Sequence, residues 1–423
     1  ANSESLHSCS HLEFLFLCSH FNYLVGNNDN AFLYSKEIIN NSHAIDSCNY
    51  SFVDAAYNFL EYYYSTINES DSLIVTAKKH LYELDKADNA FFNEKIDALY
   101  YLSVIINDDI EMAITYGKQA ELLLINSKAS QEELFQDPMY YKVLDILALK
   151  YNMISNYSDQ FPCRQTCCSI LEYNNRKNSK EYYDQLDRLI RCAYNVGEYA
   201  LLKEYCTIYE SMIFTYSETP TEDAFYYVAI MGDVCVKTGN YQAALEYYDE
   251  CIGLLPQVSE GDNLIGAKAN VLATKAQTCI LAGMKADAFS FLIEARKEID
   301  ELDNSPQVQS IKANLLSIEG QIVSDYDKAI AKFDSALYIN EQLYLDATKL
   351  LPASGKVGFD VSGSTREAGT TEIISNIRSY QHDRAIFLIN KGLIQHQNGA
   401  TASAYQSFLE ASSLIKNIFA ENS

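Results

Sequence analysis

The densest group of side chains that could do chemistry is the run CRQTCC at 163–168. Thiols spaced this closely could form a redox pair or contribute to a zinc site. A zinc site needs a second pair of ligands, whereas Cys192 is the nearest other cysteine and no histidine is close in sequence. On a helix that begins near Pro162, Cys163 and Cys167 would share one face. We therefore expect these cysteines to pack in the core, with a redox pair and a metal site as the alternatives.

Other signatures of catalysis or ligand binding are faint. The seven histidines include no HExxH spacing, and we expect His396 to be an ordinary polar side chain on a helix. The run SGKVG at 354–358 is too short for a phosphate-binding loop and follows no buried strand. No nucleophile can be paired with a base from spacing alone. The sequence thus predicts a protein that is not an enzyme and that binds no cofactor and no metal.

Charge restricts the class of partner. The 423 residues include 57 Asp and Glu against 32 Lys and Arg, a formal net charge of −25. Such a field repels nucleic-acid phosphates and anionic lipids, so we expect a protein or peptide partner, basic in character, and no direct nucleic-acid binding. The alternative is that the acidity only keeps the protein in solution.

Cysteine usage bears on the compartment. Eleven cysteines, an odd number, are spread over a long chain, mostly at apolar helical positions. This is typical of reduced core residues and favours a cytoplasmic protein. The most apolar stretch, 11–26, is interrupted by Glu13, His20 and Asn22, and no basic segment precedes it. We expect no membrane insertion and no signal peptide, although a removed leader stays compatible with the sequence.

The stretch GNYQAALEYYDECIGLLP at 239–256 predicts the second helix of a helical hairpin. The segment before it, 224–238, is apolar at helical spacing with Gly232 in its middle. Two antiparallel helices can approach closely only where side chains are small, as at Gly232 and Ala244. We expect Tyr248 to fill the space beside that contact, and a proline to close the helix.

This pattern resembles the tetratricopeptide repeat (TPR) family. The matching positions are Gly232, Gly239, Tyr241, Ala244, Tyr248, Cys251 and Pro256. The tryptophan usual in the first helix is missing, since the chain has no tryptophan. The spacing recurs at 276–295 and 392–411, in its second half at 326–336, and more weakly upstream.

The repeat step predicts how many units there are. The central residues of the predicted first helices are Ser19, Tyr101, Ala148, Ile190, Gly232, Ala276, Ser317 and Gly392. They lie 82, 47, 42, 42, 44, 41 and 75 residues apart, and a degenerate unit at 50–84 fills the first gap. The step exceeds the usual ~34 residues, as in the extended repeats of kinesin-light-chain-like proteins. The predicted fold is an all-α, TPR-like solenoid, a right-handed superhelix of about nine antiparallel helix pairs.

The same pattern predicts the organisation of the chain. Degenerate helix pairs occupy 1–216, well-matched units 217–349, and a terminal unit 373–423, all in one continuous solenoid. Between them, 350–372 concentrates glycines at 355, 358, 363 and 369 and predicts an inserted loop. The loop is either a tolerated insertion or a segment that binds a partner or is cut by proteases.

The resemblance implies a groove lined by the first helices. The family register, carried over from Phe225, places these predicted partner-binding residues in it: Lys142, Asp145, Asn152, Asp184, Asp187, Arg191, Tyr194, Asn195, Tyr226, Asp233, Lys237, Asn270 and Gln277. It also places Ala273 there, and in the first unit Glu13, Phe16, His20, Tyr23 and Leu24, which lack the Lys/Asn clamp that some TPR domains use for a peptide carboxylate. The aspartates among them suggest a basic or amine-bearing ligand, and the alternative is an ordinary solvated helix face.

These observations favour a non-catalytic scaffold or sensor that binds a peptide or a partner helix in the groove. Arrays of this kind also form the regulatory regions of larger bacterial signalling proteins, ahead of CHAT proteases, histidine kinases or transcription regulators. A third hypothesis is a receptor whose superhelical pitch changes when a ligand binds.

Overall fold

Helices joined in pairs by short turns make up the secondary structure of this chain. The structure, a computed structural model, describes residues 3–42, 50–86, 91–300, 302–350 and 366–420. These residues form nineteen α-helices and no strand. The predicted all-α, paired-helix fold is confirmed.

The chain divides into two compact units, Ala1–Lys177 and Asn178–Ser423. The helices of unit 1 are α1 (Ser3–Leu24), α2 (Asn28–Asn41), α3 (Tyr50–Thr66), α4 (Ser70–Lys86), α5 (Phe92–Ile105), α6 (Ile110–Ser127), α7 (Gln131–Gln136), α8 (Pro138–Met153) and α9 (Tyr157–Tyr173). Those of unit 2 are α10 (Lys180–Val196), α11 (Tyr199–Tyr216), α12 (Pro220–Lys237), α13 (Tyr241–Val258), α14 (Gly261–Leu281), α15 (Lys285–Ile299), α16 (Pro306–Ile322), α17 (Tyr326–Lys349), α18 (Arg366–Gln397) and α19 (Thr401–Ala420).

Apart from the short α7, the helices of the described residues form nine pairs, the number that the repeat step predicts. The two helices of a pair pack along each other, because a short turn folds the second back on the first. In each pair we call the N-terminal member the first helix. The degenerate unit expected at 50–84 is the pair α3 and α4.

A small residue against an aromatic ring sets the closest approach within a pair. A Cβ added at Gly232 on α12 would lie 2.6 Å from Cε1 of Tyr248 on α13. The same arrangement joins Gly392 on α18 to Phe408 on α19, where the distance would be 2.7 Å. The predicted role of Tyr248, filling the space beside Gly232, is confirmed, and this packing makes the fold TPR-like.

The turn after α12 also matches its prediction, but the end of α13 does not. Gly239 has φ 78°, a left-handed conformation that glycine adopts without strain. The proline expected to close α13 lies inside it, because the helix continues past Pro256 to Val258. Leu255 is buried, and its carbonyl accepts a hydrogen bond from the Ser259 N–H at 3.0 Å, which holds this last turn together.

Two irregular repeat steps have different structural origins. The step of 47 residues between Tyr101 and Ala148 contains the extra six-residue helix α7. In the long last step, α17 runs to Lys349 and α18 begins at Arg366, so only 351–365 of the predicted insertion lie outside the described residues. The predicted domain boundaries stay predictions.

Candidate functional site

The predicted groove residues of unit 2 lie on α10, α12 and α14, and many of them contact one another. Arg191 Nε donates to both carboxylate oxygens of Asp187, at 3.1 and 2.9 Å. Its guanidinium lies over the ring of Tyr226 on the next first helix, 3.9 Å from the ring centroid. Burial, partly offset by the Arg191 charge, raises the pKa of Tyr226 to about 12. These three side chains join α10 to α12.

A second contact between the same helices uses Asp233. One carboxylate oxygen accepts from the Tyr194 hydroxyl at 3.1 Å, and the other accepts from the Tyr248 hydroxyl at 2.7 Å. Burial, followed by the charge of Asp233, raises the pKa of both tyrosines. Asp233 is therefore already satisfied by two neutral donors within the chain.

The remaining predicted residues of unit 2 are less closely linked. Gln277 exchanges two hydrogen bonds with Gln321, at 3.2 and 3.0 Å, which joins α14 to α16. Asp184 pairs with Lys180 one turn earlier at 3.1 Å, and Asn195 donates to the Arg191 carbonyl at 2.9 Å. The exposed residues among them are Asn195, Lys237 and Asn270. Ala273 was wrongly placed in the groove: it is fully buried, because it packs in the apolar cluster around α14 and α16.

In unit 1, the predicted partner-binding residues Lys142, Asp145 and Asn152 lie on α8. Asp145 pairs with the guanidinium of Arg164, which extends from α9 and is 1% exposed. Asn152 is exposed at the end of the helix. Lys142 is also exposed, and it lines a cavity that the other predicted residues do not reach.

That cavity, which we call the acidic cavity, has a volume of about 580 Å³. Its principal charged residues are Asp54 and Glu61 on α3, Glu94 and Asp97 on α5, Lys142 on α8, and His80 on α4. The position of α8 beside α5 is held by Lys150, whose ammonium donates to the Ile106 carbonyl and to Asn107 Oδ1, both at 2.7 Å.

His80 lies between two carboxylates at the base of the acidic cavity. Nδ1 is 3.4 Å from Glu61 Oε1, Nε2 is 3.2 Å from Asp54 Oδ1, and the ring stacks on Tyr57 at 4.7 Å. Burial lowers the pKa of His80, but the adjacent carboxylates of Asp54 and Glu61 outweigh it and raise the pKa to about 9. The imidazole is therefore a cation at neutral pH.

A second cavity, which we call the aromatic cavity, adjoins the first and has a volume of about 310 Å³. It is lined by Phe16, His20 and Tyr23 of α1 and by Phe59 and Tyr62 of α3. The ring of Tyr23 meets those of Phe59 and Tyr62 edge-on, at 5.6 and 5.9 Å. Tyr62, which is 48% exposed, lines both cavities. We call the joint surface of the two cavities the unit 1 face.

The register of the first unit found the aromatic half of this face, since Phe16, His20 and Tyr23 are among its predicted groove residues. In the later repeats, the same register placed Lys142 in the groove but missed the other residues of the acidic half. Asp54, Glu61 and Asp97 lie in the degenerate repeats, where no motif fixes which residues face the groove. Their spacing along the sequence carries no signal that would have joined them.

The cysteine cluster packs in the core as expected. Cys163, Cys167 and Cys168 on α9 are all buried. Burial raises the pKa of Cys163 and Cys168 to about 12, which favours the protonated thiol over the reactive thiolate. Within the described ranges, no three side chains of the types that bind metals converge on one point. Among the helices of that part of the chain, none is long and apolar enough to cross a membrane.

No protein-family model matches this sequence, and comparison with curated proteins gives no match either. Among solved structures, aspartyl phosphate phosphatase F from Bacillus subtilis is 11% identical, with a TM-score of 0.47 over 98% of this chain and 94% of that one. The apo form of the quorum sensor NprR from B. thuringiensis is 11% identical, with a TM-score of 0.45 over 96% and 99%. A tetratricopeptide repeat protein from Parabacteroides merdae is 14% identical, with a TM-score of 0.39 over 76% and 98%. These identities and TM-scores are too low to support an argument about the fold. A TPR-like fold is instead indicated by the chain's own repeats and by the packing of Tyr248 on Gly232.

Proposed function

We propose that this chain is a non-catalytic scaffold or sensor that holds a peptide, or a helix of a partner protein, against the unit 1 face. The observation that carries the proposal is the pair of adjoining cavities, lined mainly by first helices, with Tyr62 in the lining of both. Cavities of this size accommodate side chains, and two in a row suit an elongated ligand better than a compact one.

The two faces differ in how far their polar groups are already satisfied. In unit 2, Arg191, Asp233 and Gln277 are bonded to neighbouring side chains, so a ligand would have to compete with those bonds. In unit 1, Asp54 and Glu61 are paired with His80, but the exposed aromatic rings, Glu94 and Asp97 border open space. The predicted residues of unit 2 remain proposed partner-binding residues in their own right, and the unit 1 face is the principal proposed site.

Tyr62 is the residue on which to test this function. Aromatic side chains at the centre of an interface often contribute more than 1 kcal/mol to binding. We expect peptides selected from a random display library against the full chain to bind Tyr62→Ala about tenfold more weakly, a change of ~1.4 kcal/mol. Isothermal titration calorimetry measures this loss.

The matched control is Tyr82→Ala. Tyr82 is 59% exposed on the second helix α4 and lines neither cavity. This variant should bind the selected peptides as the unchanged protein does. Failure of the library to yield any binder, or equal losses in the two variants, would rule out the proposed function.

A further inference from the structure

The acidic cavity holds more negative than positive charge. Four carboxylates line it, against two cations, His80 and Lys142. Among the described residues, neither Asp97 nor Lys142 belongs to an ion pair of 4 Å or less. Burial, and then the charge of Glu94, raise the pKa of Asp97, while Lys142 lowers it without cancelling the rise. A further cation in the cavity would favour the ionised form of Asp97.

The base of the cavity gives a second, independent indication of a ligand. His80 is 4% exposed, and its Nε2 atom makes no hydrogen bond within the described part of the chain, although Asp54 Oδ1 lies 3.2 Å away. A buried donor without an aligned acceptor is unfavourable. The Asp54 carboxylate accepts from Asn58 Nδ2 at 2.9 Å through its other oxygen.

The aromatic cavity requires a different chemistry. Its polar groups at the base are satisfied, because the Ser19 hydroxyl donates to the Ala31 carbonyl at 3.1 Å and lies 2.9 Å from the Ser35 hydroxyl. The rings of Phe16, Phe59 and Tyr62 provide much of the remaining lining around open space. An apolar side chain would fit there without burying the serine hydroxyls unpaired.

We propose that the ligand is a protein segment in which a lysine or arginine lies a few residues from a large apolar side chain. The cationic side chain enters the acidic cavity, and the apolar side chain enters the aromatic cavity. Tyr62, Tyr100 and Tyr101 supply rings beside the cation. This assignment rests on the proposed function and adds the chemistry of the ligand to it.

Synthetic peptides test the assignment with the full chain. Each peptide carries one phenylalanine and one arginine, at several separations, in a glycine and serine background, and binding is followed by fluorescence anisotropy. For the best separation, replacing the peptide's arginine by glutamine should weaken binding about tenfold. In the variant Asp97→Asn, the same replacement should weaken binding by less than about twofold, because the interaction between the arginine and the Asp97 carboxylate is already lost.

Glu37→Gln is the matched control, because it makes the same change of net charge at an exposed position on the second helix α2. In this control variant, replacing the peptide's arginine by glutamine should still weaken binding about tenfold. Replacing the peptide's phenylalanine by serine should weaken binding to Asp97→Asn but have little effect on Tyr62→Ala. Thermal melts followed by circular dichroism establish that each variant is folded.

The outcomes separate the two proposals. If the arginine matters equally in Asp97→Asn and in the unchanged protein, or if a glutamate in its place binds as tightly, the assignment of a cationic ligand is overturned. The proposed function then still stands, provided that the effect of the phenylalanine depends on Tyr62. Absence of binding by every peptide, the library-selected ones included, overturns both.

Discussion

At the scale of single residues, His80 makes stability depend on pH. Its pKa in the folded protein, about 9, lies above the ordinary 6.5, so folding binds the proton more tightly. The stabilisation is fully present below about pH 6.5 and is lost as the pH rises through about 9. The difference amounts to roughly 3 kcal/mol.

We expect His80→Gln to destabilise the protein most near pH 6, with the difference from the unchanged protein shrinking towards pH 9. Urea unfolding at several pH values measures it. His11→Gln, which removes an exposed ring from α1, serves as the control and should show a much smaller change. A difference that stays constant with pH would show that the charge on His80 does not stabilise the fold.

The sequence predicts residues at this scale only where a repeat motif fixes their orientation. Tyr248 was assigned to the space beside Gly232 because both belong to a well-matched unit. The contact between His80 and Glu61 joins residues of a degenerate unit, and it depends on how α3 and α4 are turned about their axes. Spacing alone does not determine that rotation.

At the scale of helices, the close approach within a pair predicts the effect of adding one methyl group. Gly232→Ala would place a Cβ 2.6 Å from the Tyr248 ring, so the ring or the helix must move. We expect a loss of about 1–3 kcal/mol, the usual cost of overpacking a core. Chemical denaturation followed by circular dichroism provides the measurement.

Gly253→Ala is the matched control for this substitution. Gly253 lies inside α13, and an added Cβ there would meet nothing within 4 Å. Alanine should be neutral or stabilising by about 0.5–1 kcal/mol, because it restricts the unfolded chain and favours a helix. If both substitutions had the same effect, the contact with Tyr248 would not limit how closely α12 and α13 approach.

Helices were predicted well wherever their ends carry local signals, such as Gly239 in the turn after α12. The sequence does not predict the short α7. Its only trace in the sequence is the longer repeat step of 47 residues. Its start depends on Ser130, whose hydroxyl accepts from the Glu133 N–H at 3.2 Å. Six residues carry too little periodicity to be recognised as a helix.

At the scale of the whole molecule, the net charge of −25 predicts a dependence on salt. Repulsion among like charges destabilises a folded chain, and salt screens that repulsion. We expect the midpoint of thermal unfolding to rise as sodium chloride increases from about 0.01 M to about 0.15 M, where the Debye length falls from about 30 to about 8 Å. Sucrose at matched osmolarity serves as the control for non-ionic effects. A midpoint that is indifferent to salt would mean that local ion pairs already balance the charge.

The position of Tyr62 on both cavities has a practical consequence for spectroscopy. The chain contains 33 tyrosines and no tryptophan, so its native ultraviolet emission comes from tyrosine alone. The replacement Tyr62→Trp would introduce one indole, which can be excited selectively, on the unit 1 face. The wavelength of indole emission depends on the polarity around the ring. The emission maximum would therefore shift as water leaves either cavity. The fluorescence of this single tryptophan would then follow the kinetics of ligand binding without a label on the ligand.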